Sequence, residues 1–213
     1  MIAVNERPRY RGHLHTWTAL AAIPAGIFLV IAAQRAVGKV SAVVYVVSVL
    51  ALFGTSAAYH RLAHSVQARL VMQRLDHSMI FVLIAGTYTP LCLVALPATW
   101  GIPILCVVWV GAVAGVVLKV AAFDRFRVAN YALYPVLGWV AVVALPVLYD
   151  RLTTTQLALM LAGGVSYTLG IPVLVRKRPN PWPGTFGYHE VWHTITVVAG
   201  VCHFTLVGML VTS

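Results

Sequence analysis

Long apolar stretches alternate with short polar ones along the whole chain. Each apolar stretch is about 20 residues long, which is the length that a helix needs to cross the hydrocarbon of a bilayer. The stretches lack the two-residue alternation of barrel strands, so helices are the expected spanning structure. We predict seven spans, at approximately 13–33, 40–59, 75–96, 101–122, 128–149, 154–175 and 189–211.

Short polar connections join these spans, so the sequence predicts one all-α bundle formed by a single domain, 1–213. The first stretch continues to about residue 33 and further spans follow it, which favours a membrane helix over a cleaved signal peptide. Pro172 falls inside the sixth span, where we expect the helix to break.

Composition supports membrane insertion. Of the 213 residues, 61% are hydrophobic and 9% are charged, whereas soluble domains carry about 25% charged residues. The few polar residues cannot cover a water-soluble domain of this size. The cysteines all lie inside apolar stretches without a CxxC pair, so they are interpreted as small core residues: Cys92, Cys106 and Cys202.

Lys and Arg residues predict the orientation, because they concentrate on the cytoplasmic side of membrane proteins. Twelve of the fifteen lie on one side, which places the N-terminus in the cytoplasm and the C-terminus outside, in the plasma membrane: Arg7, Arg9, Arg11, Arg61, Arg69, Arg74, Lys119, Arg125, Arg127, Arg176, Lys177 and Arg178. The net charge of +10 is scattered, without the aromatic-interleaved basic patch of a nucleic-acid-binding protein. We therefore expect membrane lipids as partners, with anionic head groups at the cytoplasmic face.

Ionisable residues at membrane depth are candidates for function, and the histidines at the cytoplasmic span ends form one such group. His189 and His193 are one helical turn apart, so both rings can face one metal ion. His60 ends the second span on the same side and is the natural third ligand of a Zn²⁺ site. His203 is excluded, because ten residues of helix separate it from His193 by about 15 Å.

The segment from His189 to His193 also matches HExxH, the zinc-peptidase pattern in which the glutamate is the general base. A zinc peptidase takes its third ligand downstream, and His203 fits no such spacing, so we retain the metal and discount the protease. Glu190 is either a base or a carboxylate that stabilises a helix N-terminus.

Two more polar residues are predicted to join the site. Ser56 lies one turn before His60 and could contact a metal-bound water or an oxyanion, or merely bond the carbonyl four residues back. Asp76 could hold a water or orient a histidine, or merely cap the third helix. His13 and His15 are interpreted as interfacial residues at the start of the first helix.

Three spaced motifs then resemble the hemolysin III proteins, within the progestin and adipoQ receptor family. The motifs are Ser56-Ala-Ala-Tyr-His60, Asp76 followed by Ala85-Gly-Thr-Tyr-Thr-Pro90, and Phe186-Gly-Tyr-His189-Glu-Val-Trp-His193 with Cys202-His203-Phe204 beyond it. The likeness covers the chain from about Arg11 to Phe204. It implies seven helices, a cytoplasmic N-terminus, and zinc held by His60, His189 and His193 with Asp76 close by.

The leading hypothesis is a zinc-dependent hydrolase of a lipid amide or ester in the cytoplasmic leaflet. Asp76 would orient or deprotonate the water, and Ser56 would donate to the oxyanion. One rival is a cytolytic pore or a receptor with a structural zinc, although the scarcity of polar residues at mid-membrane depth weighs against an open channel. Another rival is a scaffold without metal.

Overall fold

The computed structural model describes residues 8–123, 125 and 127–213, apart from the side chains of 127–130. Its helices are α1 (His13–Ala32), α2 (Ala36–Leu62), α3 (Val66–Pro90), α4 (Ala98–Ala121), α5 (Arg127–Gly138), α6 (Leu145–Arg151), α7 (Thr154–Arg176) and α8 (Tyr188–Val211). A π-helical turn, Leu91–Ala95, continues α3, and a 3₁₀ segment, Val140–Ala144, joins α5 to α6.

Seven helical stretches in the described part of the chain are long and apolar enough to cross a membrane. The predicted all-α class and the number of spans are therefore confirmed. Large apolar side chains such as Phe28, Ile31 and Val110 are at least 70% exposed, as a lipid-facing surface requires.

The third helix is longer than predicted. It begins at Val66 rather than near 75, because its first turns carry polar residues that the apolar window misses. Ser65 caps this helix, and its Oγ accepts a hydrogen bond of 3.1 Å from the amide of Ala68. Asp76 therefore lies inside α3, and its interpretation as the cap of that helix is wrong.

The predicted break at Pro172 is also wrong, because α7 runs through that residue to Arg176. A proline removes one hydrogen-bond donor, whereas ending the helix there would expose several backbone groups to hydrocarbon at a higher cost. The helix ends at Arg176, and the C-cap residue that follows it, Lys177, has a left-handed φ of 52°.

The fifth span is the irregular one. The 3₁₀ segment directly precedes α6, which carries Pro146 in its first turn, where a missing N–H is tolerated. Tyr88 of α3 repairs the break, because its hydroxyl donates to the carbonyl of Gly138 (2.9 Å) and accepts the amide of Ala141 (2.7 Å). A side chain from another helix thus satisfies backbone groups that the regular helix would have paired.

Helix packing brings distant stretches of chain to one end of the bundle. α2 packs along α1 and α3, α3 packs along α4, and α8 packs along α7 while also contacting α1 and α2. The end of α2 and the start of α8 therefore lie together, and the first turn of α1 lies beside them. This end of the bundle carries the candidate site.

Candidate metal centre

Three histidines meet where α2 ends and α8 begins. His60 lies in the last turn of α2, and His189 and His193 lie in the first two turns of α8. The Nε2 atoms of His60 and His189 are 3.1 Å apart, and one ligand atom from each of the three rings lies within 4.8 Å of the others. His60 and His193 are buried and His189 is half-buried.

The donor set fits a metal ion. Two nitrogen ligands of a tetrahedral Zn²⁺, each about 2.0–2.1 Å from the ion, lie about 3.3–3.4 Å apart. The separation of 3.1 Å between His60 and His189 is close to that distance. A single cation can accept the lone pairs of all three rings, so this group could hold a metal ion, as the one-turn spacing of His189 and His193 predicted.

Ser56 of α2 and Asp76 of α3 contact each other close to the histidine end of α2. Ser56 is buried one turn before His60, and its Oγ is 2.9 Å from Nδ1 of His15. The Asp76 carboxyl group of α3 interacts with the same hydroxyl. The Ser56 hydroxyl is therefore engaged with side chains from two other helices, and the predicted catalytic roles of Ser56 and Asp76 stay predictions.

Glu190 fixes the start of α8. One carboxylate oxygen accepts the amide of Gly187 at 2.8 Å, which closes the first turn of the helix. The other oxygen forms an ion pair with Arg11, from the segment before α1. Both oxygens thus have structural partners, and a role of Glu190 as a base remains a prediction.

Comparison with known proteins gives the family. A family model described as "Haemolysin-III related" matches residues 4–204. The chain belongs to the hemolysin III family. It is 38% identical to "Hemolysin-3" of Bacillus cereus over 184 residues, which cover 84% of this chain and 80% of that protein.

Two further relatives extend the comparison. The chain is 33% identical to "Hemolysin-3 homolog" of Bacillus subtilis (strain 168) over 193 residues, which cover 89% of this chain and 87% of that protein. It is 27% identical to "Heptahelical transmembrane protein ADIPOR2" of Oryza sativa subsp. japonica over 183 residues, which cover 78% of this chain and 80% of that protein. The predicted resemblance, which placed hemolysin III within the progestin and adipoQ receptor family, is confirmed, and this hemolysin III family member is a multi-pass integral membrane protein.

Sequence reasoning missed His15. It was interpreted as an interfacial residue, but it is only 3% exposed in the hemolysin III fold. Its ring stacks on the ring of His193, with centroids 3.6 Å apart and planes 13° apart, and meets the Phe53 ring edge-on at 4.9 Å. One signal in the sequence could have found it. His15 lies in the first turn of the first span, and that span begins at the end of the bundle where the second span ends.

The other histidines lie outside the three-histidine group. His77 stacks on Phe123 with centroids 5.4 Å apart. His203 lies 3.3 Å, through Nε2, from the carbonyl oxygen of Met160. The exclusion of His203 as a ligand therefore agrees with its position in the hemolysin III bundle.

A largely apolar cavity of about 170 Å³ lies between α1, α2, α3, α7 and α8 in this family member. Its lining includes Thr18, Phe53 and Val197. Each of these residues is one helical turn from a residue at the metal centre, namely His15, Ser56 and His193 respectively. The cavity therefore begins one helical turn from the histidine end, and Phe53 lies between the cavity and the His15 ring.

Proposed function

We propose that this protein is a zinc-dependent hydrolase of a lipid amide or ester, acting in the cytoplasmic leaflet of the membrane. The observation that carries the proposal is the meeting of His60, His189 and His193 beside the buried Ser56 hydroxyl. A site at this depth is reached by lipids that diffuse within the bilayer. Three imidazoles suit Zn²⁺, and catalytic zinc sites commonly use three protein ligands with one position left for water or substrate.

When bound, zinc supplies a nucleophilic water at neutral pH and polarises a carbonyl group. The chain's own residues provide the remaining chemistry. Asp76 orients or deprotonates the attacking water, and Ser56 donates its O–H to the oxyanion that develops on the substrate carbonyl. The interaction between Asp76 and the Ser56 hydroxyl keeps both groups together on the side of the site formed by α2 and α3. For Ser56 to donate to the oxyanion, its single O–H proton turns from the Asp76 carboxylate to the substrate oxygen.

The cavity below the histidines supports a lipid substrate. Its largely apolar lining suits a hydrocarbon chain rather than a polar solute. A chain held there would place the head-group end of the molecule near Phe53 and the imidazoles. The amide or ester bond of the lipid would then lie at the metal centre.

The alternative is a cytolytic or receptor-like protein in which zinc is structural. The printed name of the Bacillus cereus relative, a hemolysin, favours lysis. Structural zinc sites are usually closed by four protein ligands, however, and the group of histidines, cysteines and acids that converges in the described part of the chain has three members. This open donor set favours catalysis.

Hydrolysis by the purified protein in lipid nanodiscs tests the proposal. We expect His60→Ala and treatment with a zinc chelator each to abolish release of fatty acid from lipid, and added Zn²⁺ to restore the chelated wild type. His64→Ala is the matched control, because His64 is an exposed histidine four residues further along the chain. Hydrolysis that survives both the substitution and the chelator would contradict the proposal, and metal-insensitive leakage of dye from liposomes would favour the cytolytic alternative.

A further inference from the structure

His15 connects α1 to the metal centre, although α1 supplies no ligand. Its Nδ1 lies 2.9 Å from Oγ of Ser56, and its ring lies flat on the ring of His193 with centroids 3.6 Å apart. Phe53 packs edge-on against the remaining side of the ring. One buried imidazole thus contacts both a ligand and the hydroxyl beside it.

The stacking restricts the His193 ring. A separation of 3.6 Å is van der Waals contact, so the His193 ring cannot turn out of its plane without displacing His15. Metal sites depend on such restraint, because loss of a neighbouring group that orients a ligand typically lowers metal affinity by about 10- to 100-fold. Of the two ligands on α8, His193 lies one turn further into the helix than His189, and His15 covers its face.

The segment before α1 holds His15 in this place independently. Arg11 forms an ion pair with Glu190 at the start of α8. Gly12 has a left-handed φ of 81°, and a Cβ at this position would come within 2.7 Å of Cβ of His60. The start of α1 is therefore fixed against both ligand-bearing helices by contacts that do not involve the His15 ring.

We propose that His15 is a positioning residue of the metal centre, with its ring fixing His193 for metal binding and its Nδ1 aiming the Ser56 hydroxyl at the substrate. The inference rests on the proposed function for the role of Ser56, whereas the role toward His193 needs metal binding alone. Helix α1 thus contributes a residue to the site that the spacing of His60, His189 and His193 along the chain does not predict.

Metal titration of the purified full chain tests the role toward His193. We expect His15→Ala to weaken Zn²⁺ binding, measured by competition with a chelator, by about 10- to 100-fold. We also expect it to change the visible absorption of the Co²⁺-substituted protein, which reports ligand geometry. His13→Ala is the matched control, because His13 lies on the same helical turn and its ring meets Tyr10 rather than the three ligands.

A conservative variant separates the two roles. His15→Phe keeps a flat ring that can stack on His193 but cannot bond Ser56, so we expect Zn²⁺ affinity and the Co²⁺ spectrum close to wild type, with lipid hydrolysis lowered as far as in Ser56→Ala. Wild-type affinity and spectrum in His15→Ala would overturn the proposal, as would a His15→Phe protein that loses metal as readily as His15→Ala.

Failure of the proposed hydrolase gives a different pattern. A wild type that binds both ions but hydrolyses no lipid would remove the enzyme and the Ser56 role, and the affinity and the spectrum would still decide whether His15 positions His193. A wild type that takes up neither ion would overturn both proposals.

Discussion

The two halves of the bundle satisfy their polar side chains in different ways. In the half of the bundle away from the histidines, hydroxyls mostly bond a carbonyl of their own helix: Thr87 bonds Leu83 at 2.8 Å and Thr205 bonds Val201 at 2.9 Å. At the end that holds the histidines, hydroxyls such as those of Thr16 and Thr194 do the same, but polar side chains from α1, α2, α3 and α8 also contact one another. Polar groups that need partners from several helices are costly to keep in a membrane, so this end of the bundle is the candidate for function.

The largest expected effect is the difference in zinc binding between a variant of His193, at the histidine end, and a variant of His203, in the other half of the bundle. His193→Ala removes a ligand, so we expect zinc affinity to fall by more than the about 10- to 100-fold that loss of an outer-shell partner costs. His203→Ala removes a half-buried histidine whose ring contacts the Met160 carbonyl, and we expect its zinc content to match wild type. Elemental analysis of the purified proteins decides this, and zinc loss in the His203 variant alone would reverse the comparison.

The next effect concerns chemistry without metal loss. Asp76→Asn keeps the shape of the side chain but cannot deprotonate a water, so we expect lipid hydrolysis to fall by about 10²- to 10⁴-fold while zinc content is unchanged. Asp150→Asn, at an exposed position near the end of α6, serves as the control. If hydrolysis by Asp76→Asn equals that of the control, Asp76 is not the base, and Glu190→Gln becomes the variant to measure.

A smaller effect is expected at Gly12, where the backbone before α1 lies close to His60. Gly12→Ala places a Cβ in a left-handed conformation, which costs about 1–2 kcal/mol, and crowds His60. Gly184→Ala has a similar φ of 82° but meets nothing within 4 Å. The thermal unfolding temperature should fall for both variants, whereas zinc affinity should fall only for Gly12→Ala. Equal zinc affinities would show that the contact with His60 does not matter to the site.

The smallest effect is expected in the half of the bundle away from the histidines, for a hydroxyl that bonds a carbonyl of its own helix. Thr205→Val removes an exposed hydroxyl that bonds only its own helix, so we expect the free energy of unfolding to change by no more than about 0.5 kcal/mol. Zinc content should not change. A drop of several kcal/mol in unfolding experiments would show that local bonding in this half contributes more than the comparison assumes.

The sequence predicted whatever depends on local pattern. Apolar length located all seven spans, and the one-turn spacing of His189 and His193, with His60 at a matching span end, located the three-histidine group. The start of α3 was missed because its first turns are polar although helical. The expectation that Pro172 breaks its helix was wrong. It considered the one backbone N–H donor that proline lacks but not the cost of ending a helix in lipid.

What could not be predicted depends on contacts between helices. Tyr88 repairs the break near Gly138 from another span, and no spacing along the chain reveals that pairing. His15 shows the same limit, because its burial follows from the packing of α1 against α2 and α8 rather than from any motif. One of the two partners of Glu190, Arg11, likewise comes from a segment far away in the chain.

The central claim is that three imidazoles bind one zinc ion and leave a position open. Zinc K-edge X-ray absorption of the purified protein measures this directly. We expect three nitrogen ligands and one oxygen ligand at about 2.0–2.1 Å, without sulfur. A spectrum dominated by sulfur ligands, a site closed by four protein ligands, or a protein purified without zinc that does not take it up would contradict the account.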